Sequence, residues 1–145
     1  MKRFNFRLQR IFDYREALKL EQQRELARKT HELAIAEDRL TEIDEERSKA
    51  PISPGGLTTM AELGMLHDYM KGLTQLFEEQ TLVVKEAESA VEAAREIYME
   101  RAIDAKTLAT VKERRFEEFN EEKGRKEKTS LDGISVQRHR FREVD

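Results

Sequence analysis

The chain has 145 residues, 27 of them Lys or Arg and 30 Asp or Glu, so 39% is charged and only 38% hydrophobic, with a net charge of −3. So polar a composition argues against a thick-cored globular domain, for which the charged fraction is nearer roughly 25%. The absence of cysteine excludes a disulfide scaffold and a thiolate metal site. No apolar run approaches the roughly 18 residues of a membrane span, and the charged N-terminus does not read as a signal peptide.

The first predicted element is a helix over about residues 3–49. Positions 4, 8, 11, 15, 18, 22, 26, 29, 33, 36, 40 and 43 form a stripe spaced by threes and fours. Nine of these twelve are apolar, from Phe4, Leu8 and Ile11 through Leu26, Leu33, Ala36 and Leu40 to Ile43. Arg15, Gln22 and Lys29 interrupt it, and one extra four-residue step near Gln22 is a stutter that relaxes a supercoil locally. A disordered chain carries no such stripe.

Residues 50–58 hold both prolines, Pro51 and Pro54, and the pair Gly55-Gly56. Proline cannot continue a helix and glycine permits a sharp reversal, so this segment reads as a tip loop. Thr59-Met60-Ala61-Glu62 follows as a capping box.

The second helix is predicted over about residues 59–124. Its stripe alternates threes and fours without a break through Leu63, Leu66, Met70, Leu73, Phe77, Gln80, Val84, Ala87, Val91, Ala94 and Tyr98. Past Tyr98 it continues with a shift through Ala102, Ala105, Ala109, Phe116 and Phe119. Residues 125–145 read as a flexible basic tail. The fold class is therefore all-α: a long antiparallel coiled-coil hairpin with a longer C-terminal helix. At 1.5 Å per residue the helices measure roughly 68 and 98 Å, so about 20 residues of the second overhang the N-terminus of the first.

This geometry exposes a charge asymmetry. Residues 1–29 with 101–145 carry 21 Lys and Arg against 14 Asp and Glu, whereas residues 30–100 carry 6 against 16. Opposite fields at the two ends suit two different partners, although some drift of charge is ordinary in solvated helices. Tyr69, Leu76 and Val83 flank the second stripe; they either broaden the helix–helix interface or face a partner together with Met65 and Ile35. Phe6, Phe12 and Tyr14 lie off the first stripe, and Phe116 and Phe119 sit on the overhang. Aromatics without an intramolecular partner are candidate anchors for another protein.

Catalytic constellations are missing from the sequence. None of Ser48, Ser53, Ser89, Ser130 and Ser135 stands in a nucleophile elbow, and His31, His67 and His139 are too scattered for a zinc face. Gly55-Gly56 lacks the lysine of a phosphate loop. The chain is read as no enzyme, with no cofactor and no metal. Nucleic acid is an unsuited partner, since acidic residues interrupt the basic run at 123–128 and the pI is about 5.8.

The opening Phe4-Asn5-Phe6-Arg7-Leu8-Gln9-Arg10-Ile11 with Arg15, the stretch Lys112-Glu113-Arg114-Arg115-Phe116-Glu117-Glu118-Phe119, and the ending Leu131-Asp132-Gly133-Ile134-Ser135-Val136-Gln137-Arg138 together resemble the flagellar export protein FliJ family. Gly133 departs from the acidic residue usual at its place. The resemblance implies a cytoplasmic protein of bacterial type III export, peripherally associated with the inner membrane at the flagellar base. It implies a stalk in the centre of the hexameric export ATPase, with Phe4, Phe6, Leu8, Ile11, Arg15, Arg115 and Phe119 on the ATPase side. The cytoplasmic domain of the export gate would meet Leu40, Ile43, Tyr69, Met70, Leu76 and Phe77. Export chaperones are further implied partners, without membrane insertion, and the chain is expected to be a monomer on its own. An injectisome stalk protein and a non-secretion coiled-coil chaperone or scaffold stay open as alternatives.

Overall fold

The computed structural model describes residues 2–49 and 59–144. They are all-helical apart from residues 2–8 and Thr59, with two long helices packed against each other: α1, Gln9–Lys49, and α2, Met60–Val144. The expected tip loop, 50–58, lies outside the described residues. At the start of α2 the Glu62 amide N–H donates to the Thr59 hydroxyl at 3.2 Å, one half of the expected capping box.

Two boundaries differ from the sequence reading. α1 begins at Gln9 rather than near residue 3, because residues 2–8 form an arm that ends in a turn, the Gln9 N–H donating to the Phe6 carbonyl at 3.0 Å. An α-helical turn would set Phe4 and Phe6 some 200° apart; the non-helical arm instead buries Phe6 to 7% exposure and brings the Phe4 ring onto α2. At the other end, α2 does not stop near Gly124 but runs to Val144. Gly124 and Gly133 each cost a helix about 1 kcal/mol relative to Ala, which does not break it when no proline follows. Pairs one turn apart, Arg125–Glu121 and Lys126–Glu122, lie beside the first glycine.

The chain divides into two compact units, Lys19–Arg101 and the pair of segments Met1–Leu18 and Ala102–Asp145. In the first, the core is a single seam between the helices: Ala36 and Ile43 of α1 and Leu73, Val84, Val91 and Ala94 of α2 are buried. These are the positions picked out by the two stripes. Gln22 and Gln80, polar members of the stripes, make matching bonds. The Gln22 side-chain amide donates to the Ala94 carbonyl and the Gln80 amide to the Ala36 carbonyl, both at 3.0 Å. The two pairings show that within this unit the helices pass in opposite directions. Each glutamine faces an alanine, whose small side chain leaves the carbonyl within reach.

In the other unit the seam is carried by Phe6, Ala105 and Leu108, with Ala105 completely buried. Leu108 escaped the sequence stripe, which stepped from Ala105 to Ala109. Arg15 donates to the Asp104 carbonyl at 3.3 Å, and the Lys112 ammonium lies 5.2 Å from the Phe12 ring centre. From residue 120 to 144 every α2 residue is exposed.

Candidate protein-docking sites

The arm of residues 2–8 builds the first site. Phe4 meets Phe116 edge-on, with ring centres 5.2 Å apart and planes at 70°, and meets Phe119 at 5.6 Å. Both geometries fall in the range favoured by aromatic quadrupoles. Phe116 and Phe119 were expected to overhang the N-terminus without a partner. The arm changes this, since a non-helical residue advances up to about 3.3 Å where a helical one advances 1.5 Å. A depression of about 900 Å³ opens beside this cluster, lined by the arm and by Val111, Arg115, Glu118, Phe119 and Glu122.

Five of the seven residues expected on the ATPase side line that depression: Phe4, Phe6, Leu8, Arg115 and Phe119. Ile11 and Arg15 do not; Ile11 is 46% exposed, and Arg15 is spent on the Asp104 carbonyl. The depression also gathers Lys2, Arg3 and Arg7, which the sequence reading passed over because their charge carried no pattern. Arg115 and Glu118 form an exposed pair at 3.5 Å. The result is an aromatic floor whose rim carries Lys2, Arg3, Arg7 and Arg115 together with Glu118 and Glu122, four cations against two carboxylates.

The second set of candidates lies in the Lys19–Arg101 unit and is divided. Ile43 is 2% exposed, and Leu40, Met70 and Phe77 are half-buried. The Arg47 guanidinium covers the Phe77 ring at 4.4 Å. Tyr69 and Leu76 are 52% and 45% exposed. Val83, Ile35 and Met65 are exposed as well, so the flanking row does not broaden the helix–helix interface.

The Arg28 guanidinium, 2.7 Å from Glu25, holds the Glu25 carboxyl below its usual value through a direct hydrogen bond, and the glutamate raises the arginine in return. Among the described residues there is no cluster of His, Asp and Glu that could hold a metal ion, and no helix long and apolar enough to cross a membrane.

Compared with protein families, the chain matches the one described as flagellar FliJ protein over residues 4–143. It belongs to the FliJ family. No curated protein and no solved structure matches the chain significantly. As a FliJ-family member it is a component of flagellar protein export by type III secretion, and the family is a non-catalytic part of that apparatus. The FliJ match takes in both the N-terminal arm and the last turns of α2, so it spans all the residues that carried the resemblance.

Proposed function

We propose that this chain is the stalk of the export apparatus, an antiparallel coiled-coil hairpin that binds the centre of the hexameric export ATPase and links it to the export gate. The observation that carries the reading is the Phe4–Phe116–Phe119 cluster. It joins residues from both ends of the chain into one apolar surface with a rim of Lys2, Arg3, Arg7 and Arg115. Clustered aromatics beside arginine are the residue types on which binding energy concentrates. Ile11 and Arg15 extend the same reading along α1.

Tyr69 and Leu76 are the gate-side contacts. Leu40, Ile43, Met70 and Phe77 support that surface from within the seam. The Lys19–Arg101 unit carries 11 Lys and Arg against 18 Asp and Glu, and the other unit 16 against 12, so the two surfaces offer opposite fields to their partners. Export chaperones share the apparatus, and the protein works at the cytoplasmic face of the inner membrane, held there by its partners and not by insertion. Alone it is a monomer.

The test is stimulation of the cognate hexameric ATPase. The parent chain raises the hydrolysis rate, and Phe4→Ala combined with Phe119→Ala abolishes the effect while circular dichroism retains the helix signal. Unchanged stimulation by the double variant refutes the ATPase-side assignment. Sedimentation equilibrium checks the monomer, and a stable tetramer rules out the stalk.

A further inference from the structure

Along α2 one position recurs every seven residues as an apolar side chain: Tyr69, Leu76, Val83, Ala90 and Ile97. Four of the five are 52%, 45%, 46% and 42% exposed, in that order with Ala90 omitted. They lie outside the seam, whose buried members are Leu73, Val84, Val91 and Ala94. An apolar row sustained for so many heptads is the signature of a helix that packs against another helix, and α1 does not cover this one.

The surface between the row's members has the matching shape. Tyr69, Gly72, Leu73 and Leu76 stand at i, i+3, i+4 and i+7, the four positions that make a hole for a knob on a facing helix. A groove of about 430 Å³ opens there. Gly72 keeps it open, for a Cβ at that position meets nothing within 4 Å. The buried Leu73 forms its floor.

The edge of the row selects the occupant. The positions three residues after Leu76, Val83 and Ile97 are Glu79, Glu86 and Glu100; among the described residues none of these carboxylates is in an ion pair, Glu79 accepting from the neutral Gln75 side-chain amide at 3.2 Å. In helix pairing the charges beside an apolar seam choose the partner. We propose that this row is a docking seam for a third helix, supplied by another protein. That helix is amphipathic, about 28 residues long, with apolar residues at heptad spacing and Lys or Arg beside them. The inference rests on the gate-side reading of Tyr69 and Leu76 only for which protein supplies the helix.

The experiment uses the full chain and two labelled designed peptides of about 28 residues. Both have leucine at the seam positions; one has lysine and the other glutamate at the flanking positions. By fluorescence anisotropy the lysine peptide binds at least tenfold more tightly than the glutamate peptide. Leu76→Asp and Val83→Asp, both on exposed positions, each weaken it at least tenfold. Gly72→Leu fills the hole and weakens it comparably with the helix signal intact, and Leu131→Asp, in the other unit, leaves it unchanged. Equal binding of the two peptides, no binding of either, or parental affinity in the Asp variants overturns the inference. Binding of the gate domain is measured apart. Gate binding that is lost in Leu76→Asp while the peptides fail to bind keeps the gate contact and overturns the helical geometry.

Discussion

Replacing Ile43 by alanine separates a seam residue from a partner contact. Ile43 is 2% exposed in the Lys19–Arg101 unit, so its side chain is almost wholly removed from water, whereas Ile35 in the same helix is 56% exposed. Truncating a buried isoleucine forfeits the transfer free energy of its lost carbons and leaves a cavity, together about 2–5 kcal/mol. A seam only two helices thick relaxes into such a cavity more readily than a closed core, which places the cost near the lower end, at roughly 2–3 kcal/mol. For a chain of this length that corresponds to a fall in Tm of about 5–10 °C. Ile35→Ala removes little buried surface and replaces a β-branched residue by the best helix former, so it is neutral or slightly stabilising. Thermal and urea melts followed by circular dichroism measure both. Equal stability of the two variants would refute the two-stripe packing, and Ile43 would return to the list of free contact residues.

Gln22→Leu exchanges a buried amide that donates to the Ala94 carbonyl for an apolar group of similar size. A hydrogen bond of net worth about 1 kcal/mol is lost against a gain of similar size from apolar burial, so urea melts should give an unfolding free energy within about 1 kcal/mol of the parent. Gln22→Gly, which loses both bond and packing, unfolds much earlier. Gly124→Ala and Gly133→Ala should each stabilise α2 by about 0.5–1 kcal/mol, because a Cβ at either position meets nothing within 4 Å; rising ellipticity at 222 nm and slower proteolysis of residues 125–144 are the readouts. The Glu25–Arg28 pair lowers the carboxyl's pKa in the folded chain. Its contribution is therefore present above the ordinary carboxylate range and is lost as pH falls through it. The pair lies at the solvent-accessible surface, where such ion pairs contribute little, so Glu25→Gln leaves Tm at pH 7 nearly unchanged, and any difference vanishes at acid pH.

The helical stripes were legible because apolar residues at threes and fours leave a helix only one way to bury them. Ala36, Ile43, Leu73, Val84, Val91 and Ala94 are buried where the stripes put them. Gln22 and Gln80 also lay on the stripes, yet the pattern alone did not say that each finds an alanine carbonyl. The N-terminal arm was misread as helix for a local reason. Its 3–4 spacing through Phe4, Leu8 and Ile11 matches a helix as well as the real arrangement does, and only the contact of Phe4 with Phe116 and Phe119 decides between them. The end of α2 was placed too early because a glycine and a run of charges look like a terminus, although charges spaced one turn apart also support a helix.

The amino-acid sequence by itself determined an all-helical chain, its two stripes and its FliJ-family signature, since all of these depend on residue types at short spacings. Tertiary structure alone decided which of the flanking apolar residues are covered. Tyr69 and Leu76 remain open while Phe77, one residue further on, lies beneath Arg47. Neighbours along a helix point about 100° apart, and burial follows from what the other helix brings to each direction, which no spacing within one helix records.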